Sequence, residues 1–171
     1  VVNGGKKYQV IMFRGNFETN IDGKGRTSLP AKFREVLVDS FGDERFFITN
    51  SNPVRLGDGS YSSGLVIYPY NEWLALEEKL KMGTGLGLSS AELASVKRRV
   101  IAPAVECVAD KLGRILVPPH LRKSACLERE ILFVGMLNKA EIWSQAEWEK
   151  VFKQDIENFP IDSPVLAELG L

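Results

Sequence analysis

Two short stretches hold the residues best suited to chemistry in this chain, Asp22-x-x-Gly25-Arg26 and Asp110-x-x-Gly113-Arg114. An aspartate at the start of a tight turn accepts hydrogen bonds from turn N–H groups, and a glycine permits the positive φ that the reversal needs. The arginine that follows carries a planar fork of donors, which matches phosphate oxygens and the O6/N7 edge of guanine. Arg34 and Arg122 stand one strand and one helical turn further on, with Lys24, Lys32, Lys111 and Lys123 beside them. The same groups also suit a purely structural role, in which Asp and Arg pair to lock the turn.

Little else in the chain suggests reactivity. The single histidine, His120, follows Pro118-Pro119 and has no triad partners nearby. There is no CxxC, HxxxH or EF-hand loop, so no metal site is expected. The glycine-rich GTGLG (83–87) follows a helical pattern and lacks the lysine-serine signature of a phosphate loop. Glu77/Glu78 and Glu147/Glu149 read as helix-surface carboxylates. Cys107 and Cys126 are too few for a disulfide scaffold and are expected to be small buried or half-buried thiols. The expectation is a non-enzyme without cofactor, metal or small-molecule substrate. No apolar run approaches the ~20 residues that span a bilayer, and no signal-peptide pattern is present, so a cytoplasmic location without membrane contact is expected.

The elements that position the two motifs are themselves duplicated. Residues 17–34 and 105–122 align without a gap at an offset of 88, with six identities: Glu18/Glu106, Asp22/Asp110, Gly25/Gly113, Arg26/Arg114, Pro30/Pro118 and Arg34/Arg122. A second echo aligns 65–80 with 140–155 at an offset of 75 through Ile67/Ile142, Glu72/Glu147 and Trp73/Trp148. The difference, 88 − 75 = 13 residues, is an insertion in the first copy, most easily placed in the Gly/Ser/Asn/Asp-rich 51–64, which has the composition of a surface loop.

Phe17, Thr19 and Ile21 alternate with polar residues as in a half-buried strand, DGKG turns the chain, and Arg26–Leu29 resumes a strand. Pro30 suits a helix start, and Leu29, Phe33, Val36 and Leu37 mark one face of a short helix. The second copy repeats this through Val105, Cys107, Ala109, the DKLG turn, RILV and Pro118. FFIT (46–49) with LVIYP (65–69), and ILFVG (131–135) with AEIW (140–143), read as strand pairs. Asn71 is expected to cap a helix with Trp73, Leu76 and Leu80 on one side. Ser144-x-x-Glu147 opens another, with a Trp148, Val151, Phe152 stripe, and Ser89-x-x-Glu92 opens a linking helix to about Ile101.

Net charge is zero, but its distribution is uneven. Residues 1–34 carry seven basic against two acidic side chains, and residues 141–171 carry two against seven. An asymmetry of this kind is a local binding signal.

MFRGNFETNIDGKGRTSLPAKFRE, the second DKLGRILVPPHLR and the EIW…W segment together resemble the MraZ family of bacterial transcriptional regulators. More broadly they resemble the SpoVT-AbrB swapped-hairpin superfamily, here in two tandem copies. The similarity spans roughly residues 12–157. It implies an α+β, β-dominated fold: a swapped-hairpin (double-split) β-barrel built from two AbrB-like repeats with short flanking helices. The implied division is an N-terminal extension or expression remnant (1–11), a first repeat (12–82), a linker and connecting helix (83–101), a second repeat (102–157) and a flexible C-terminal tail (158–171).

The resemblance further implies chains assembled into rings that bind short tandem repeats in double-stranded promoter DNA upstream of their own operon, the division and cell-wall cluster, and repress it. The implied location is the cytoplasm, in association with the nucleoid. The family's DNA-contacting turn maps to Asp22 through Arg26, with Arg26 the strongest candidate. Charge and position add Arg14, Lys24, Lys32 and Arg34, and the second copy offers Arg114, Arg122 and Lys123. Asp22, Gly25, Asp110 and Gly113 are expected to structure the turns. The alternatives are an antitoxin-like AbrB-type module and a non-DNA scaffold whose barrel mediates assembly. Phe17, Ile21, Leu29, Phe33, Val105, Val117 and Leu121 are expected inside. Trp73, Trp143 and Trp148 are expected at subunit interfaces, where aromatic residues are enriched.

Overall fold

The computed structural model describes residues 11–171, so the extension assigned to 1–11 lies, but for Ile11, outside the described residues. The first copy forms β1 (Asn16–Asn20), β2 (Arg26–Ser28), α1 (Ala31–Asp39), β3 (Phe46–Asn50), the short strands β4 (Val54–Arg55) and β5 (Tyr61–Ser62), β6 (Leu65–Pro69) and α2 (Tyr70–Met82). A linking helix α3 (Ser90–Val96) continues into a π-helical turn over Lys97–Ile101. The second copy forms β7 (Val105–Cys107), β8 (Arg114–Leu116), α4 (Pro119–Ser124), β9 (Glu130–Gly135), β10 (Ala140–Ser144) and α5 (Gln145–Glu157), and α6 (Pro164–Glu168) follows.

Main-chain pairing crosses between the copies. β1 pairs antiparallel with β9 in the register Phe17↔Phe133, and β7 pairs with β3 in the register Val105↔Ile48. β6 and β10 join the halves through Val66↔Glu141. The resulting sheet has the order β1-β9-β10-β6-β3-β7. That order is the same from either end once each strand is exchanged for its counterpart, so a pseudo-twofold axis passes between β6 and β10. The helices obey the same relation: α2 and α5 each have 13 residues, 75 positions apart.

Two expectations are corrected here. The sheet is open, with β1 and β7 at its edges, and β2 and β8 form a separate two-stranded ribbon, so no closed barrel forms within the chain. β2 and β8 take each other as ladder partners, from Arg26↔Leu116 to Ser28↔Arg114, and form no ladder with the edge strands β1 and β7. The 13 extra residues of the first copy are also split. Phe46 and Ile131 occupy equivalent register positions, an offset of 85, so three extra residues precede β3 and only ten fall between β3 and β6. Those ten belong to more than a surface loop. β4 and β5 pair as a small hairpin, and Val54 and Leu56 pack with Leu132, Val134, Trp143 and Val151. Ser62 Oγ donates to Glu147, and Gln154 Nε2 donates to the Arg55 carbonyl.

The main core lies between one face of the sheet and the layer made by the ribbon, α1 and α4. Ile21, Leu29, Phe33, Val117 and Leu121 are buried in it, and the half-buried Phe17 and Val105 pack against it. Phe33 meets Phe13, Phe17 and Phe133 edge-to-face at centroid distances of 5.2, 5.3 and 6.3 Å, a favoured quadrupole arrangement. Phe13, fully buried just before β1, belongs to this core although no periodic pattern marks it.

On the opposite face Trp73 of α2 stacks on Phe47. Trp73 and Trp143 are 0% and 2% exposed, so they are core residues of one chain and not interface residues as expected; only Trp148 is half-buried. Phe152, expected on a packed stripe, is 47% exposed. Helix α2 begins at Tyr70 after Pro69, so Asn71 lies within it and does not cap it. Proline's fixed φ and missing N–H suit that entry. Cys107 is half-buried, and burial raises its thiol to a pKa of about 11; Cys126 is exposed, contrary to expectation. Ser89 and Glu92 complete a full capping box at α3.

Phe33→Ala is expected to cost about 3–5 kcal/mol, because the cavity opens among three other aromatic rings. Urea denaturation of the variant and the parent measures the difference.

Candidate nucleic-acid interface

The two D-x-x-G-R turns have the same internal geometry. In the first, Asp22 N donates to the Arg26 carbonyl (3.0 Å) and Gly25 N to the Asp22 carbonyl (3.0 Å). Asp22 Oδ1 accepts from Lys24 N (3.0 Å) and Arg26 N (2.9 Å), and Oδ2 accepts from Arg26 Nε (2.7 Å). In the second, Asp110 Oδ1 accepts from Leu112 N and Arg114 N (both 2.9 Å), and Oδ2 accepts from Arg114 Nε (3.1 Å). Each aspartate thus satisfies turn N–H groups and holds its arginine by one nitrogen. The Arg26 N–H, then its side chain, bring the Asp22 carboxyl down to a pKa of about 2. The Arg114 N–H leads the causes that lower Asp110.

The ribbon brings the two turns together. β2 and β8 pair in the register Arg26↔Leu116, Thr27↔Ile115, Ser28↔Arg114. Leu29 N donates to the Gly113 carbonyl (2.9 Å), and Val117 N donates to the Gly25 carbonyl (2.8 Å). Thr27 and Ile115 face the interior, whereas Arg26, Ser28, Arg114 and Leu116 are exposed. Directly paired residues share a face of a ribbon, so Arg26 and Arg114 are diagonal neighbours on the outer one, roughly 7–8 Å apart by the usual diagonal spacing. Their side chains are 52% and 50% exposed.

The other candidates occupy different places. Lys24 is exposed at the first turn, where the second has Leu112, 74% exposed. Arg14 and Lys32 line a groove of about 320 Å³ with Phe17, Glu35 and Val36, and Lys32 also pairs with Glu35 at 3.7 Å. Arg34 pairs with Glu44 at 3.3 Å. Lys123 is exposed on α4. Arg122 donates from Nε to the Val117 carbonyl (3.0 Å) and from Nη1 to the Gly23 carbonyl (3.1 Å), so its guanidinium is committed to backbone. Sequence reasoning missed this brace, because the contact spans the two copies. It also missed the exposed Leu116, whose position follows from the ribbon register alone. Among the described residues no group of three or more His, Cys, Asp or Glu could hold a metal ion, and no helix is long and apolar enough to cross a membrane.

A family model described as "MraZ protein, putative antitoxin-like" matches residues 12–84 and 100–163. The chain belongs to the MraZ family. Relatives named "Transcriptional regulator MraZ" include one from Geotalea daltonii, 95% identical over 160 residues, covering 94% of this chain and all of the relative. One from Pelobacter propionicus is 47% identical, over 88% of this chain and 93% of the relative. A third, from Pediococcus pentosaceus, is 38% identical, over 94% of this chain and all of the relative. The two segments matched by the MraZ model each contain one D-x-x-G-R turn.

Three measurements test the turns. The Asp22 carboxyl should titrate near pH 2 by NMR, and Asp110 below the ordinary carboxylate value. Because the folded pKa is depressed, the stability Asp22 contributes is present above its unfolded value near 3.8 and is lost as pH falls through about 2. Asp22→Asn should therefore flatten the acid limb of the stability curve in that window. Gly25 and Gly113 both have positive φ, +87° and +78°. A Cβ at Gly25 would collide with the Val117 carbonyl and lie 2.8 Å from Arg122 Nε, whereas one at Gly113 meets nothing within 4 Å. Gly113→Ala should cost about 1–2 kcal/mol for the strained φ alone, and Gly25→Ala distinctly more, measured by thermal melts.

Proposed function

We propose that this chain is a sequence-specific DNA-binding transcriptional regulator that represses its own operon, the division and cell-wall cluster. It acts on double-stranded promoter DNA in the cytoplasm, in association with the nucleoid. The observation that carries this reading is the β2–β8 ribbon, with Arg26 and Arg114 on one exposed face. A two-stranded ribbon fits the major groove of B-DNA, where an arginine fork pairs with guanine O6 and N7. Asp22 holds Arg26 through Nε, which leaves the terminal nitrogens of the guanidinium for that pairing. Lys24 adds a cation at the turn tip, and Arg14, Lys32 and Lys123 add more distant charge.

The two repeats, 12–82 and 102–157, act as a single reading unit of the swapped-hairpin type, because the ribbon takes one strand from each. Chains join into a ring, so several ribbons meet tandem DNA elements at once and gain affinity through effective concentration. Phe152, Ile156 and Trp148 line an apolar groove of about 780 Å³ beside the β1 edge and supply the surface for that assembly.

Arg26→Ala is expected to lower affinity for the DNA upstream of the chain's own reading frame by tenfold or more and to relax its sequence preference; a bidentate arginine–guanine pair discriminates by about 1–3 kcal/mol. Arg114→Ala should do less, because Leu112, His120 and Ala102 stand where the first copy has Lys24, Lys32 and Arg14, so the second copy surrounds its turn with less positive charge. Fluorescence anisotropy at several salt concentrations, with the oligomer mass followed by light scattering, measures both. Specific binding by Arg26→Ala equal to that of the parent would remove Arg26 from the site. Loss of binding together with loss of the oligomer would assign it a structural role instead.

A further inference from the structure

The two turns are copies, yet they are not held alike. Arg34 and Arg122 are equivalent at the offset of 88. Arg34 turns to the carboxylate of Glu44, whereas Arg122 turns to two backbone carbonyls of the ribbon and the first turn. Sequence explains the divergence. In the register that equates Phe46 with Ile131, the counterpart of Glu44 is Arg129. The second copy thus has a cation where Arg34 finds its anion, and Arg122 is left to seek other acceptors.

The acceptors it finds matter. Val117 O belongs to the residue whose N–H bonds the Gly25 carbonyl, and Gly23 O lies inside the first turn itself. Arg122 Nε also closes the space over Gly25, which is buried, while the space over Gly113 is open. Hydrogen bonds from an ionised donor are about twice as strong as neutral ones, so one such bond to Gly23 in the turn and one to Val117, the ribbon residue bonded to Gly25, tie the five-residue turn to the second copy.

We infer that Arg122 of the second copy is a positioning residue for the first copy's DNA-reading turn, making that turn the rigid, base-selecting one of the pair. This rests on the DNA-binding reading above. A pre-organised turn places Arg26 before DNA arrives, so the ordering cost is met in folding and not in binding. The second turn, without a clamp, follows the shape of the duplex and contributes mainly charge. Arg122 itself stays off the phosphates.

The test uses the full chain with Arg122→Gln, Arg122→Lys and Arg34→Gln. Amide exchange at Gly25 and Val117, followed by NMR, should quicken about tenfold or more in Arg122→Gln and stay unchanged in Arg34→Gln, since exchange reports local opening. The preference of Arg122→Gln for the upstream duplex over a scrambled duplex should fall about tenfold, with an unchanged slope of log affinity against log salt. A phosphate contact would lower that slope by about 0.9. Arg122→Lys keeps the charge without the fork and should lie between; it carries the test if Arg122→Gln does not fold.

An Arg122 variant with parental selectivity, with parental exchange, or with the lowered salt slope would overturn the assignment. A parent chain that shows no preference for the upstream duplex would sink the DNA reading and this inference with it. A selective parent with an indifferent Arg122 variant would sink this inference alone.

Discussion

Everything in this molecule depends on the crosswise pairing of main chains. The first strand of each copy finds its partner in the third strand of the other, and the second strands find each other. A single strand-turn-strand unit buries too little to stand alone, and an unpaired β1 or β2 would leave a row of N–H and C=O groups without partners. Neither copy can therefore satisfy its backbone without its twin. The core repeats the constraint: Phe33 from the first copy packs on Phe133 from the second. The nearness of the two turns is a consequence. Because β2 and β8 must pair, Arg26 and Arg114 are brought to one face from positions 88 residues apart.

The Asp–Arg pairs would not compete with the DNA contact proposed above. Exposed ion pairs stabilise by roughly 0–1 kcal/mol, so an arginine is not locked away by one. Here the pair uses Nε, and the end of the guanidinium faces outward. The carboxylate orients the fork while the neighbouring N–H groups hold the carboxylate. The structural role of these residues, a rival to recognition when the sequence alone is read, is compatible with the recognition role proposed above.

Much of the fold is legible in the amino-acid sequence. The alternation of Phe17, Thr19 and Ile21, the paired turns, and the 75-residue echo that becomes α2 and α5 follow from side-chain period and turn chemistry, which are local properties. The features that escape such reading depend on partners distant in sequence. The burial of Trp73 and Trp143 is set by which face of the sheet the helices cover. Phe13 carries no periodic signal because it enters the core from an isolated bridge with Leu137. The open sheet follows from β2 and β8 choosing each other as ladder partners across 88 residues, which no local pattern reveals. The division of the 13 extra residues into three and ten needs the register of β3 and β9. The hydrogen-bond partners of Arg122 cannot be read from its identity with Arg34, since a residue type shared between copies says nothing about which acceptors lie within reach.

Joining the two copies in one chain also removes a symmetry that a dimer of single copies must obey. In such a dimer, both turns, both braces and both residues at the dyad are identical by necessity. Here the covalent link makes the pairing intramolecular, and each copy is free to drift. The drift is visible at matched positions: Lys24 against Leu112, Glu44 against Arg129, Val66 against Glu141. Val66 is buried, whereas Glu141 at the same place is half-buried, with burial raising its carboxyl pKa. Such a difference is tolerable only where one residue, not two, sits at the axis. On the function proposed above, an asymmetric reader suits head-to-tail promoter repeats, which carry no dyad, better than a symmetric one. The duplicated fold supplies the ribbon, and the unlike environments of Arg34 and Arg122 give that ribbon a direction.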